Sequence, residues 1–144
     1  MTLEASNAVP SRADRARARC AVGAARALTG LPPRHLRRIL EFARRGSRPA
    51  DKGAVLRARN AVVSVSVPCA GPRCLQRSIA IALLCRWTGS WPDWYVGVCT
   101  EPFRAHAWVG AVGRAVGEDP NQIPFFHVVM AVPARSESDR ASIA

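Results

Sequence analysis

The chain has 144 residues, 49% of them hydrophobic, and a formal net charge of +11 at pH 7. This length and apolar content predict one globular domain and exclude a largely disordered chain. The longest apolar run, residues 79–85, is far shorter than the ~18 residues that a membrane span needs, and no secretory signal stands near residue 1, so we expect a cytoplasmic protein without membrane association.

The first part of the chain is predicted to be helical. Residues 13–28 are rich in Ala and Arg and stop at Thr29-Gly30, and residues 34–45 place apolar side chains on one stripe. Residues 50–66 fit a helical face over most of their length, although the alternation near their end also fits a strand, and we favour a helix. Residues 68–73, rich in Pro and Gly, are predicted to form a loop.

Most of the positive charge belongs to these first helices. Residues 1–60 carry 14 of the 21 basic residues against four acidic ones, whereas residues 61–144 carry seven against six. A basic surface of this kind is either simply solvated or binds an acidic partner. Nucleic acid is the less favoured partner, because no aromatic residues alternate with the arginines and no known DNA-binding pattern is present.

A second part of the chain is predicted to form the core. A helix from about Cys74 to Thr88 is apolar on nearly every side, which is typical of a buried helix. Three strand candidates follow it, and a fourth ends the sheet. The order predicts an α+β fold in which N-terminal helices and a buried central helix pack on a small antiparallel sheet. The strand candidates span residues 94–99, 105–111, 114–119 and 126–132.

These elements predict one domain over residues 13–134, with a helical region at 13–66 and flexible ends at 1–12 and 135–144. An odd number of cysteines in a protein expected to be cytoplasmic argues against a disulfide framework. Their spacing does not suit a zinc site, so neither a metal nor a cofactor is predicted. The five cysteines are Cys20, Cys69, Cys74, Cys85 and Cys99.

Cys74 is the candidate nucleophile. It begins the buried helix, where the helix dipole and unpaired backbone N–H groups favour a thiolate over a thiol. The same N–H groups could stabilise the oxyanion that forms when a thiolate attacks a carbonyl. A cysteine at this position could also be a small buried residue without a chemical role.

His106 and Asp119 are the candidate general base and the group that orients it. If residues 105–119 form a hairpin that turns at Val112-Gly113, His106 lies directly opposite Asp119, on the same face of the sheet. The carboxylate would accept a hydrogen bond from Nδ1 and leave Nε2 to take the thiol proton. Glu118 would then point to the other face.

Other histidines and cysteines offer weaker alternatives. His127 could act as the base, but no acidic residue stands at a matching position, and His35 lies among arginines on a predicted surface helix. Trp108 is interpreted as core packing. Cys20, Cys85 and Cys99 have no histidine in a suitable sequence context and are interpreted as structural.

Three segments of the chain resemble a known family. They begin at Cys74 (CLQRSIA), Val96 (VGV) and Pro102 (PFRAHAWV). These segments are similar to motifs of the peptidases of lasso-peptide biosynthesis, which are transglutaminase-like, papain-related cysteine enzymes. The resemblance covers about residues 50–125.

The resemblance implies a stand-alone leader peptidase. Such an enzyme cuts the precursor peptide, a small separate protein captures the leader, and a separate cyclase closes the macrolactam ring. By this matching, Cys74 is the nucleophile, His106 the general base and acid, and Asp119 the residue that orients His106. Two alternatives remain open: an acyltransferase that uses the same three residues, and a non-catalytic protein whose basic first 60 residues bind an acidic peptide or nucleic acid.

Overall fold

Four helices and a small sheet make up the structure, a computed structural model that describes residues 9–66 and 73–134. The helices are α1 (Arg12–Leu28), α2 (Pro33–Arg44), α3 (Lys52–Val65) and α4 (Cys74–Trp87). The predicted flexible segment 135–144, most of the segment 1–12 and the loop at 68–73 apart from Arg73 lie outside the described residues.

Side-chain caps fix where two of the helices begin. Ser11 and Asp14 form a capping box at the start of α1, in which each side chain bonds the backbone N–H of the other. Asp51 caps α3, and its carboxylate accepts a hydrogen bond of 2.7 Å from the backbone N–H of Ala54. The segment whose pattern suited either a helix or a strand is therefore a helix, as favoured.

The main sheet has four antiparallel strands in the order β5-β4-β3-β6. A separate pair of two-residue strands, β1 and β2, is parallel. The sequence pattern did not indicate this pair. The strands are β1 (Arg48–Pro49), β2 (Ser90–Trp91), β3 (Asp93–Thr100), β4 (Phe103–Ala111), β5 (Arg114–Ala115) and β6 (His127–Val132), with a 3-10 turn at Ile123–Phe125.

Helix α4 lies against the sheet and forms the centre of the core. Ile79, Ala80 and Ala82 are fully buried in it. The indole of Trp94, on β3, is also buried and donates a hydrogen bond of 3.0 Å to the Ser78 hydroxyl. This bond ties the helix to one face of the sheet, and the predicted α+β layout with a buried central helix is confirmed.

The other face of the sheet carries an aromatic cluster. Tyr95 follows Trp94 and pairs with Trp108, so both side chains project away from α4. Gly97 gives Trp108 its space, because a Cβ on Gly97 would lie 2.9 Å from the Trp108 ring and 3.0 Å from Cβ of Phe126. The glycine of the Val-Gly-Val segment is therefore required by the packing of the tryptophan in the His-Ala-Trp-Val segment.

The hairpin from β4 to β5 is shorter than predicted. Its turn is at Val112 and Gly113, with φ values of 53° and 78°, and Gly110 pairs with Ala115 in the predicted register. The predicted strand over residues 114–119 nevertheless ends early, because Gly117 has a φ of 74° and turns the chain away from β4. The expected pairing of His106 with Asp119 therefore does not form.

Among the described residues, no helix combines the length and the apolar character needed to cross a bilayer.

Candidate active site

Cys74 is the first residue of α4 and is half-buried. The side chain of its N-cap residue, Arg73, makes no capping hydrogen bond to the first turn of the helix. The backbone N–H groups of a first turn have no partner within the helix. The sulfur is therefore held where the positive end of the helix dipole and these N–H groups favour negative charge.

The imidazole of His106 forms a hydrogen bond with the thiol of Cys74. The other side of the ring is occupied, since Nε2 lies 2.9 Å from Oε2 of Glu118. Nδ1 is thus the nitrogen left for the sulfur. This is the reverse of the predicted arrangement, in which Nε2 faced the thiol.

The short β5 strand leaves part of the β4 edge open for this contact. Val116 donates the last hydrogen bond of the hairpin, 3.0 Å long, to the carbonyl of Val109. Two residues earlier on β4, the backbone N–H of Ala107 points along the same edge and donates to the sulfur of Cys74. The tip of α4 therefore takes the place that a longer strand would have filled.

Glu118 is the acidic residue hydrogen-bonded to His106. The prediction that Asp119 orients His106 is therefore corrected. The turn at Gly117 breaks the alternation of the strand and swings Glu118 onto the face of His106. Asp119 is exposed, and its carboxylate accepts a hydrogen bond of 2.9 Å from the backbone N–H of Asn121. Asp119 thus stabilises the local turn that leads into the 3-10 segment.

A further residue, Arg77, also contacts Glu118. It stands one turn after Cys74, and its guanidinium lies 3.6 Å from Oε1 of Glu118. Both side chains are largely buried, with 11% and 15% of their surface exposed. Arg77 and His106 therefore hold the two oxygens of one carboxylate. A glycine directly before Glu118 was the available sequence signal that the strand would end there.

The electrostatics of the site favour a thiolate beside an imidazolium. The hydrogen bond from His106 is the main cause that lowers the pKa of Cys74 from 9.0; the Ala107 N–H and the charges of His106 and Arg77 act in the same direction, against burial. The bonds to Cys74 and Glu118 raise the pKa of His106 to about 9. Each group therefore stabilises the charged form of the other.

Aromatic rings surround the imidazole. Trp108 stacks on His106 with ring centroids 5.9 Å apart, and the Phe126 ring centroid lies 5.5 Å away. Trp108, which was interpreted as core packing, is buried and also contacts the candidate base. Beside the ring opens a cavity of about 200 Å³ whose lining includes Arg104 and Gln122. This cavity is large enough for one substrate side chain.

The other histidines and cysteines, and the buried Gln76 of α4, do not join the site. His127 and His35 are exposed on β6 and α2. Gln76 is buried, and its amide donates to the carbonyl of Val22 on α1, so it anchors that helix. Burial raises the pKa of the Cys85 thiol to about 12. Cys20 lies in α1 and Cys99 in β3, whereas Cys69 is outside the described residues.

No three side chains of His, Cys, Asp or Glu are grouped so as to hold a metal ion within residues 9–66 and 73–134.

Selective alkylation would test the charge state of Cys74. Because its pKa is lowered, a thiolate fraction persists at a pH where an ordinary cysteine is a thiol. We expect iodoacetamide at about pH 6 to modify Cys74 at least about 10-fold faster than an ordinary cysteine such as free glutathione, as read by peptide mass spectrometry.

His106→Ala provides the matched control for this experiment. It removes the main cause of the lowered pKa, so the rate profile of Cys74 should move to higher pH. Cys85, whose pKa is raised, should stay unmodified in both proteins. An identical profile in the wild type and His106→Ala would contradict the ion pair.

Comparisons with known proteins identify a family. A family model described as the transglutaminase-like superfamily matches residues 18–131, which include α4, all of β3 and β4, and Glu118. No curated protein and no solved structure matches the chain significantly.

Proposed function

The chain belongs to the transglutaminase-like superfamily, and from this membership we propose that it is a cysteine peptidase that removes the leader from a lasso-peptide precursor. The superfamily is generally catalytic, with cysteine proteases and acyltransferases among its members. The observation that carries the proposal is the thiol of Cys74 hydrogen-bonded to His106, which is itself held by Glu118.

In the first half of the proposed reaction, the thiolate of Cys74 attacks the scissile carbonyl. The carbonyl oxygen becomes an oxyanion, which the backbone N–H groups at the start of α4 stabilise. His106 then gives the proton on Nδ1 to the leaving amine, the peptide C–N bond breaks, and a thioester remains on Cys74. Glu118 keeps the imidazole oriented throughout.

In the second half, water hydrolyses the thioester. Neutral His106 takes a proton from the water as it attacks the carbonyl carbon, and the C–S bond breaks. The leader is released with a new carboxylate, and Cys74 regains its thiolate beside the protonated imidazole. One water is consumed for each peptide bond cut.

The substrate class rests on the three sequence segments that resemble the leader peptidases. Their structural roles support the resemblance: the first begins α4 with the thiol, and the third places His106 and Trp108 on one face of β4. Gly97 of the second makes room for Trp108. We propose as partners the lasso precursor, a leader-binding protein and the macrolactam-forming cyclase.

The products of the reaction test this proposal. The chain is incubated with a lasso precursor and its leader-binding protein in water enriched in ¹⁸O, and the peptides are weighed by mass spectrometry. Hydrolysis gives a core peptide with a free amine and a leader with one ¹⁸O in its new carboxylate. The Cys20→Ala protein, changed at an exposed position of α1 that makes no contact with Cys74, His106 or Glu118, should give the same products.

Two outcomes would contradict a peptidase. If a primary amine is added to the same incubation, a leader joined to that amine, without ¹⁸O, would identify an acyltransferase that uses the same thioester. A precursor that stays uncut in the presence of this chain and the leader-binding protein would contradict the proposal that lasso precursors are the substrate.

A further inference from the structure

An apolar groove lies between α1, α2 and α4, away from the candidate active site. Its cavity volume is about 600 Å³. Small side chains of α1 form its floor, and two large aromatic side chains from the other helices stand beside them. The residues of this α1–α2–α4 groove are Cys20, Ala21, Ala24, Phe42, Ala43, Leu83, Arg86 and Trp87.

The two aromatic side chains are unusually open to solvent. Phe42 is 70% exposed and Trp87 is 56% exposed, although both are large and apolar. They border a common groove, so they form a continuous patch rather than scattered surface residues. Aromatic residues around a pocket are the usual anchors of protein interfaces.

The surroundings of the groove are basic. The Arg45 guanidinium lies 5.6 Å from the centroid of the Phe42 ring, and Arg38 stands one helical turn before Phe42. Arg86 lines the groove, and its guanidinium is fixed by a hydrogen bond of 2.7 Å to the carbonyl of Ala43. None of the eight lining residues is acidic.

We propose that the α1–α2–α4 groove binds an acidic amphipathic helix of a partner protein. The apolar face of such a helix would cover Phe42 and Trp87, and its flanking carboxylates would meet Arg38, Arg45 and Arg86. A second copy of this chain is a poor occupant, because it would bring the same arginines against one another at a net charge of +11.

The position of the groove allows binding and catalysis together. Trp87 ends α4 and Cys74 begins it, so roughly 20 Å of helix separates Trp87 from the thiol, and Leu83, the groove residue of α4 nearest to Cys74 in sequence, stands about 14 Å along the helix from it. A partner bound at one end of α4 would leave the other end open to a peptide. The inference does not depend on the proposed peptidase activity, since the Cys74→Ala protein should bind the helix as well as the wild type.

The test uses a designed peptide of about 18 residues with leucines at i, i+3, i+4 and i+7 and glutamates on its other face. Fluorescence anisotropy of the labelled peptide gives its Kd. We expect Phe42→Ala to weaken binding at least about 10-fold, and Arg38→Gln with Arg45→Gln to weaken it about fivefold at low salt. Because Phe42 is mostly exposed, its removal should leave the fold intact.

Three controls make the result specific. Phe103→Ala removes an equally exposed phenylalanine outside the groove and should leave Kd unchanged. A scrambled peptide of the same composition should bind at least about 10-fold more weakly, because it has no continuous apolar face. Bound peptide should also slow alkylation of Cys20, which is exposed within the groove.

Other outcomes would overturn the proposal. Equal binding of the scrambled peptide, or an unchanged Kd for Phe42→Ala, would show only nonspecific charge attraction. Protection of Cys20 in the free chain that disappears on dilution would assign the groove to a second copy. If nucleic acid displaces the peptide and itself protects Cys20 from alkylation, the groove binds nucleic acid instead.

Discussion

Cys74→Ala is expected to reduce precursor cleavage by a factor of about 10³ or more, as removal of the nucleophile does in other covalent enzymes. The change removes the sulfur atom that lies at the start of α4 and forms a hydrogen bond with His106. Alanine retains the Cβ and fits the helix, so the fold should be unaffected. Initial rates from chromatography of the cleaved core peptide measure the effect.

Alanine variants of two other cysteines are the controls that show whether Cys74 acts chemically or structurally. Cys20 is exposed on α1, so the Cys20→Ala protein should cleave the precursor at the wild-type rate. Cys85→Ala, near the far end of α4 and buried, should affect stability rather than cleavage at a temperature where the protein is folded. If Cys74→Ala still releases core peptide at the wild-type rate, Cys74 is not the nucleophile.

Glu118→Gln should lower kcat/KM about 10²-fold, whereas Asp119→Asn should change it less than about threefold. Glutamine keeps the shape of Glu118 but removes the negative charge that holds His106 and Arg77. Asparagine at 119 keeps the oxygen that accepts the backbone N–H of Asn121. The pair of variants thus compares adjacent acidic residues, one of which contacts the imidazole.

The pH profile distinguishes an electrostatic role of Glu118 from a structural one. His106 must be protonated to release the amine, so wild-type activity should fall as pH rises through about 9. Glu118 is one of the causes that raise the pKa of His106, and its neutralisation should move this alkaline limb to lower pH. If Glu118→Gln lowers the rate but leaves the alkaline limb of the pH profile where it was, the change has damaged the packing of the site. If Asp119→Asn causes a large loss of activity, Asp119 is the acidic residue that acts on His106, as the sequence predicted.

The hairpin from β4 to β5 follows the sequence-based prediction at its turn and departs from it after Val116. The turn at Val112 and Gly113 and the pairing of Gly110 with Ala115 follow the predicted register. If the same pairing continued to the end of the predicted strand, Asp119 would lie opposite His106. The strand instead ends before Gly117, whose positive φ moves Glu118 by one position relative to the sheet. A single glycine thereby changed which of two neighbouring carboxylates reaches the imidazole.

The sequence by itself determined the four helices, the long strands β3, β4 and β6, and the positions of Cys74 and His106 within these elements, but neither the β1–β2 pair nor the length of β5. Helical and strand periodicity, the apolar character of α4 and the turn residues are local properties, so they predicted the α+β order that is observed. They also placed the cysteine at a helix start and the histidine on a strand.

Only the tertiary structure decided how those positions meet. The open edge of β4, the Ala107 N–H directed at the sulfur, and the shared carboxylate of Glu118 all join residues from separate elements. The same is true of the groove, which needs three helices. Contacts of this kind depend on where a strand stops and how a helix docks, and these are set by packing rather than by any local pattern.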